Sequence, residues 1–252
     1  MARQVAENMS DILDGGDYRG VVNAPDLSVI NKIAGVRPYI LLCEKIGSMH
    51  AQLLGTNKVE NIQINLQGKD VTDRRITEVM KSAVLKGILG SLSANPVSYV
   101  SASQMADELG LPVSIIMSEH RTDLGLSNLI SVEVEVEGFL NMTRSVKGTV
   151  FGHNDLRIVD IDGYSVSLPT TGNVFLYNNK DLPGVLKTIL SKVEKAQVNI
   201  AHFALGRKEK ASKVLSALVL DTKLPKEIIQ EMRTENLISN PVQVSCTCLV
   251  HT

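Results

Sequence analysis

The chain has 252 residues, of which 44% are hydrophobic and 21% are charged, the composition of a globular protein of one or two domains. Its 26 basic and 27 acidic residues leave a net charge of -1, so no general positive field favours nucleic-acid binding. Three cysteines argue against a disulfide scaffold and for the cytosol, and no apolar run approaches the about 18 residues that span a membrane.

The first part of the chain is predicted to be mainly helical, with short strands between the helices. Apolar residues at three-four spacing predict helices over 5–13, 39–53 and 76–88, with Gly15-Gly16 ending the first. Alternation of apolar and amide residues predicts a strand over 61–67. A short strand over 97–100, a helix over 103–109 and a strand over 113–117 follow.

From residue 129 the hydrophobic period changes to two. Ile130, Val132 and Val134 alternate with polar residues, which is typical of a strand with one buried face. Shorter strands are predicted over 146–151, 156–161 and 164–168, with a hairpin turn at Asp162-Gly163. Helices followed by a strand-rich end indicate an α+β fold.

A second unit is predicted after a cluster of turn-forming residues at 169–172. Its predicted strands cover 173–178, 198–205, 213–220 and 242–250, and its helices cover 183–196 and 225–233. This βαββαβ order is typical of a ferredoxin-like sheet with two helices on one face.

The sequence offers no catalytic or metal-binding motif. It has no G-x-G-x-x-G segment for a dinucleotide. The histidines are scattered without a second ligand at metal spacing, and Cys246 and Cys248 have no second Cys or His pair. Cys43 lies on the apolar stripe of a predicted helix, where it is expected to pack as a small hydrophobic residue. We therefore assign no catalytic residue, metal or cofactor to this chain.

Three segments of the second unit resemble an ACT domain, a small ligand-binding regulatory module. They are 179–184 (Asn-Lys-Asp-Leu-Pro-Gly), 198–201 (Val-Asn-Ile-Ala) and 205–207 (Leu-Gly-Arg). With 22–25 (Val-Asn-Ala-Pro) and 158–164 (Ile-Val-Asp-Ile-Asp-Gly-Tyr), the whole chain resembles the C-terminal half of the long form of D-3-phosphoglycerate dehydrogenase.

The resemblance implies three regions: a terminal helix and linker over 1–24, an allosteric substrate-binding (intervening) domain over 25–170 and an ACT domain over 171–252. It implies a regulatory portion of the cytoplasmic NAD-dependent enzyme that oxidises 3-phosphoglycerate in L-serine biosynthesis. The family's catalytic and NAD-binding regions would precede residue 1. The alternatives are a stand-alone amino-acid sensor and the regulatory subunit of an iron-sulfur L-serine dehydratase.

The resemblance places L-serine, or another small amino acid, at Asn179, Asp181 and Asn199. Asp181 offers an acceptor for an ammonium group, and the two amides can both donate and accept. A helix beginning near Pro183 would add N–H groups for the carboxylate. The alternative is that Asp181 only caps this helix. In the family these domains pair across subunits, so a homodimer or tetramer is expected.

A second site, for phosphate or a phosphorylated substrate, is expected in the first domain. Lys86, His120 and Arg121 are its candidate residues, because a phosphate needs cationic donors in a fixed arrangement. The alternative is that these residues are solvated surface charges.

Overall fold

The computed structural model describes residues 2–13, 33, 35–55, 57–93, 96–120, 122, 124–137, 142–208, 213–234 and 238–246. Its helices are α1 (Ala2–Leu13), α2 (Arg37–Leu54), α3 (Arg74–Leu92), α4 (Tyr99–Glu108), α5 (Val185–Lys195) and α6 (Lys226–Arg233). Its strands are β1 (Val59–Gln67), β2 (Val113–Ser118), β3 (Leu129–Val136), β4 (Met142–Phe151), β5 (Asp155–Ile161), β6 (Tyr164–Pro169), β7 (Asn173–Lys180), β8 (Ile200–Arg207), β9 (Lys213–Leu220) and β10 (Ile238–Ser245). The predicted α+β class is confirmed.

The predicted strand over 97–100 is wrong, because α4 already begins at Tyr99. Ser98 and Ser101 form a reciprocal capping box: each side-chain oxygen accepts a hydrogen bond from the backbone N–H of the other residue. Satisfying these N–H groups starts the helix four residues earlier than its apolar spacing indicated.

The N-terminal sheet has the strand order β2-β1-β3-β4-β5-β6, with β1 and β2 parallel and the other pairs antiparallel. On β1 the residues Ile62, Ile64 and Leu66 are fully buried, whereas the intervening amides are only partly covered. The apolar residues that alternate along β1 therefore lie on one face of the sheet, and α2 and α3 pack on that face.

Helices α2 and α3 cross with their backbones in contact at two glycines. A Cβ atom at Gly47 would overlap the carbonyl oxygen of Val84, and one at Gly87 would overlap that of Glu44. By contrast, Gly90 on the same helix α3 is exposed and has open space around its Cβ position. The crossing distance is therefore set by the absence of side chains at Gly47 and Gly87.

We expect Gly87→Ala to lower the free energy of unfolding by about 2 kcal/mol or more, because the methyl group must push two backbones apart. The matched variant Gly90→Ala should instead raise it by up to about 1 kcal/mol, since alanine favours the helix. Urea denaturation followed by circular dichroism measures both. Equal effects of the two substitutions would contradict the close crossing.

The C-terminal sheet has the antiparallel order β10-β7-β9-β8. Together with α5 and α6 it has the predicted βαββαβ order of elements. Phe175, Tyr177 and Leu218 face the helices and pack with Ile189 and Met232. This side forms a compact core of its own.

The opposite face of the C-terminal sheet packs against the N-terminal unit, where Leu176, Ala217 and Val219 join the larger core. Strand β8 lies close to β6: a Cβ at Gly206 would come within 2.7 Å of the carbonyl oxygen of Ser165. Lys45 Nζ on α2 donates to the carbonyl oxygens of Thr170 and Cys246, both at 2.8 Å. The apolar core is therefore continuous between the two units. The domain boundary near residue 170 stays a prediction.

His50 is a fully buried histidine of α2. Its Nε2 donates to the carbonyl oxygen of Val132 at 2.9 Å, while its Nδ1 has no hydrogen-bond partner. Burial lowers the pKa of His50 from 6.5 to about 4; the bond to Val132 opposes this shift, and the positive charge of Arg144 adds to it. His50 is therefore neutral in the folded protein at pH 7.

We expect the free energy of unfolding to fall by about 3 kcal/mol through His50 as the pH drops from about 6.5 to 4. The folded pKa lies below the unfolded value, so the unfolded chain binds more protons in this window. His50→Gln keeps a donor for Val132 but does not titrate, so its stability profile should be flatter by that amount. Parallel profiles of the two proteins in urea titrations between pH 4 and 7 would contradict this origin.

Candidate functional site

Asn179 and Asp181, two of the three predicted effector residues, lie at the carboxyl end of β7. Asn179 is only 7% exposed. Its Oδ1 accepts a hydrogen bond from Ser216 Oγ on β9, and its Nδ2 donates to the carbonyl oxygen of Lys180, both at 2.8 Å. These bonds fix the strand end that carries Asp181.

Asp181 forms a two-point ion pair with Arg207, the last residue of β8. Arg207 Nε donates to Oδ2 at 2.7 Å, and its terminal nitrogen donates to Oδ1 at 3.1 Å. Hydrogen bonding from the guanidinium lowers the pKa of Asp181, and its positive charge acts in the same direction. The carboxylate is therefore held ionised and oriented at the surface.

Arg207 was not among the predicted effector residues, although it belongs to the segment 205–207 that resembles an ACT domain. A signal was present in the order of elements. In a sheet ordered β10-β7-β9-β8, β7 and β8 run in the same direction, so their carboxyl ends meet at one edge. Asp181 follows one of these ends and Arg207 forms the other.

Asp181 does not cap α5. The N-cap position is Gly184, with φ +89°, and the helix has no side-chain capping hydrogen bond there. Glycine fits this left-handed conformation without strain. The structure thus places an uncapped helix N-terminus, which favours anions, three residues after the Asp181 carboxylate.

Asn199 lies at the other end of β8, where its Nδ2 donates to Asp221 Oδ2 at 2.8 Å. Strand β8 has eight residues, which at about 3.3 Å per residue separates Asn199 from Arg207 by about 26 Å. The structure therefore brings Asn179 and Asp181 together and leaves Asn199 far from both within one chain.

Strand β8 forms one edge of the C-terminal sheet and is flanked by an apolar surface. We call this the α5–β8 surface, and it consists of Leu182, Leu186, Leu190 and Phe203. Their exposed fractions lie between 37% and 54%. A groove in the same region is lined by residues of α5 and by Val198, Asn199 and Ile200. Apolar side chains beside an open strand edge are typical of a protein–protein contact.

The residues of the predicted phosphate site have separate surroundings. Lys86 Nζ pairs with Glu44 Oε1 at 2.8 Å and lies 4.3 Å from the centre of the Tyr99 ring, whose hydroxyl also donates to Glu44. This lysine therefore connects α3 to α2 and α4 and is not a solvated charge. His120 is exposed after β2, and Arg121 lies outside the described residues. The phosphate site stays a prediction.

The remaining histidines and cysteines add no site within the part of the chain that the structure describes. No three His, Cys, Asp or Glu residues there are placed to hold a metal ion. Cys43 is fully buried, as predicted, and burial raises the pKa of its thiol. Cys248 lies outside the described residues. None of the helices described is both long and apolar enough to cross a membrane.

Comparison with known proteins places residues 35–162, just over half of the chain, in the D-3-phosphoglycerate dehydrogenase intervening domain family. The chain is 29% identical over 234 residues to D-3-phosphoglycerate dehydrogenase of Synechocystis, covering 92% of this chain and 40% of that protein. It is 28% identical over 232 residues to the Bacillus subtilis protein of the same name, covering 92% and 42%.

The corresponding protein of Methanocaldococcus jannaschii is 28% identical over 231 residues, covering 91% of this chain and 42% of that protein. The chain thus spans about two fifths of the length of these relatives. The matched family domain contains α2 to β5 and ends at Asp162, the first residue of the following hairpin turn. The chain belongs to the D-3-phosphoglycerate dehydrogenase intervening domain family.

Proposed function

We propose that this chain is the regulatory portion of a D-3-phosphoglycerate dehydrogenase and that its C-terminal sheet is an ACT domain binding L-serine as a feedback effector. The catalysed reaction would be the NAD-dependent oxidation of 3-phosphoglycerate to 3-phosphohydroxypyruvate. The sequence has no G-x-G-x-x-G segment, so we assign no NAD-binding or hydride-transfer role to its residues. The family match and the relatives' names support the enzyme, and the strand ends support the effector site.

Two placements carry the proposal: the ion pair of Asp181 and Arg207 lies at the carboxyl end of the edge strand β8, and Asn199 lies at its amino end. Two copies of β8 that pair antiparallel about a two-fold axis would set the amino end of one strand beside the carboxyl end of the other. Asn199 of the partner subunit would then lie next to Arg207, which binds Asp181. Asn199 and Arg207 lie about 26 Å apart within one chain and would meet twice in the dimer.

The α5–β8 surface supports this pairing. Antiparallel pairing would satisfy the open backbone groups of β8 and cover Leu186, Leu190 and Phe203, which are each 37% exposed. One contact would therefore complete the sheet, bury the apolar surface and assemble the effector site.

The ion pair between Asp181 and Arg207 matches a zwitterion. An amino acid can place its ammonium group on the Asp181 carboxylate, and its carboxylate on Arg207 and the N-terminus of α5. Each charge of the ion pair would then keep an opposite partner. The serine hydroxyl would meet Asn199 of the partner subunit, which can donate and accept.

Regulation would follow from linkage. Serine bound across two subunits stabilises the arrangement in which both half-sites are aligned. It can shift an attached catalytic module between two conformations only if serine binds the dimer more tightly in one of them. The serine-binding dimer is therefore the element that would have to differ between active and inactive states.

We expect Asp181→Asn to weaken L-serine binding roughly tenfold or more, because the amide cannot neutralise the ammonium group. Isothermal titration of the 252-residue chain measures this, with glycine and L-alanine as competing amino acids. The matched control is Asp155→Asn, which breaks a similar aspartate–arginine pair with Arg157 on the other sheet. Unchanged serine affinity in Asp181→Asn would refute the assignment.

We expect the chain to be a homodimer or tetramer whose mass is halved by Leu190→Glu, because a charge on the α5–β8 surface opposes its burial. Leu109→Glu is the control, since Leu109 is 67% exposed at the end of α4 and should leave the mass unchanged. Light scattering after size exclusion gives both masses. A monomeric wild-type protein at micromolar concentration would be incompatible with the shared site.

A further inference from the structure

The outer edge of the N-terminal sheet is formed by β2, which lacks the features that usually protect such an edge. β2 comes first in the strand order, so no strand among the described residues lies on its other side. It contains no charged residue, and its pairing with β1 has no bulge. By contrast, the outer strands β6 and β10 each contain a proline and belong to a pairing with a bulge. Charges, prolines and bulges are what normally prevent an edge strand from pairing with another chain.

The backbone of β2 presents three residues to this open side. The N–H of Ile62 donates to the carbonyl oxygen of Pro112, and the N–H of Gly68 donates to that of Ser118. A parallel ladder uses alternate residues of a strand, so the even-numbered residues of β2 bind β1. The odd-numbered residues therefore point their N–H and carbonyl groups away from the sheet, and they are Val113, Ile115 and Met117.

Two apolar side chains of β2 are exposed beside these backbone groups. Ile116 is 51% exposed and lies opposite Asn65, on the face of the sheet that is turned away from α2 and α3. Met117 is 41% exposed and lies opposite Leu66, on the helical face. An uncharged strand with open backbone groups and exposed apolar side chains on both faces is typical of a surface that accepts another strand.

We propose that β2 binds a second copy of this chain, whose own β2 pairs with it antiparallel about a two-fold axis at Ile115. The outward residues are evenly spaced around Ile115, so the strand matches itself after rotation. Val113 would face Met117 of the partner subunit, and Ile115 would face Ile115 of the partner subunit. Residues that face each other in this way exchange two hydrogen bonds, so every outward N–H and carbonyl group of β2 would have a partner.

The side chains of β2 also fit a second copy. Ile116 would lie beside Ser114 of the partner subunit, and Met117 beside Val113 of the partner subunit. Like charges that face each other across a strand pair are destabilising, and β2 has none to oppose self-pairing. A contact that uses the same surface on both subunits closes after two copies.

The β2 contact is separate from the contact proposed for serine binding. β2 belongs to the N-terminal sheet and β8 to the C-terminal sheet, so neither contact needs the other. Two dimers joined through β8 could be joined again through two β2 contacts, and the second of these forms within the same assembly. Such an assembly would be a tetramer.

Light scattering of the Leu190→Glu protein tests the β2 contact by itself, because this substitution opposes pairing through β8. We expect a dimer at roughly 100 μM, a concentration that suits a short strand contact. Adding Ile116→Lys should halve the mass, since it sets two ammonium groups near the two-fold axis. Met142→Lys adds the same charge to β4, where Met142 is 53% exposed, and should leave the dimer intact. Thermal unfolding verifies that each variant is folded.

A monomeric Leu190→Glu protein would overturn the β2 contact and leave the β8 contact standing. Aggregates without a fixed mass, or equal masses of the Ile116→Lys and Met142→Lys proteins, would also overturn it. If Leu190→Glu leaves the wild-type mass unchanged and Ile116→Lys halves it, the β8 contact is the one that fails.

Disulfide cross-linking tests the register. In the proposed pairing, Ser114 and Ile116 of the partner subunit form a pair without hydrogen bonds, with Cα atoms about 4.5 Å apart, which suits a disulfide. The double variant Ser114→Cys/Ile116→Cys should therefore form a covalent dimer under mild oxidation. The single variants should not, because equivalent residues would be diagonal neighbours about 7–8 Å apart. Covalent dimers in equal yield from a single variant, or none from the double variant, would overturn the two-fold axis at Ile115.

Discussion

The C-terminal sheet is buried on both faces, and the arrangement of the rest of the protein depends on this constraint. Successive residues of β7 and β9 enter two different cores: Phe175 and Leu218 face the helices, while Leu176 and Ala217 face the N-terminal unit. A shift of one residue in the register would exchange the two sets and disrupt both cores. Polar side chains are therefore confined mainly to the strand ends and the open edge of β8.

The strand ends give β7 a double role. Asn179 accepts a hydrogen bond from Ser216 on the helical side, beside the ion pair of Asp181, and Asn178 lines a cavity between the two sheets on the other side. Both positions belong to one rigid strand, so movement of this strand end is felt at both. Such a short, packed link is a physical basis for coupling between the proposed effector site and the contact between the two sheets.

Periodicity was sufficient to predict most elements, because the apolar residues of β3 and β9 and of α2 and α3 repeat at the spacing that their burial requires. It failed at Ser98, where two hydroxyl groups decide the structure and the apolar neighbours do not. The site was only partly predictable. Asp181 and Asn199 are identified by local motifs, but the pairing of Asp181 with Arg207 spans 26 positions and depends on strand order.

Lys86 illustrates the same limit for charges. Read along the chain it is a basic residue on a helix, free to bind an anion. Its partners Glu44 and Tyr99 come from two other helices, 42 positions before it and 13 after it, so only tertiary packing reveals that its charge is already matched. The sequence shows which residues are charged, whereas only the folded structure shows whether a charge is free to bind a ligand.

Lys45 hydrogen-bonds to residues that are synthesised long after it. The carbonyl oxygens that it binds belong to Thr170, before the first strand of the C-terminal sheet, and Cys246, after the last one, at separations of 125 and 201 residues. During synthesis the second bond cannot form until Cys246, which follows β10, has been added to the chain. The hydrogen bonds that join α2 to both ends of the C-terminal sheet are therefore completed late, and until this sheet packs on the N-terminal unit its apolar face, which includes Leu176 and Val219, is exposed to aggregation.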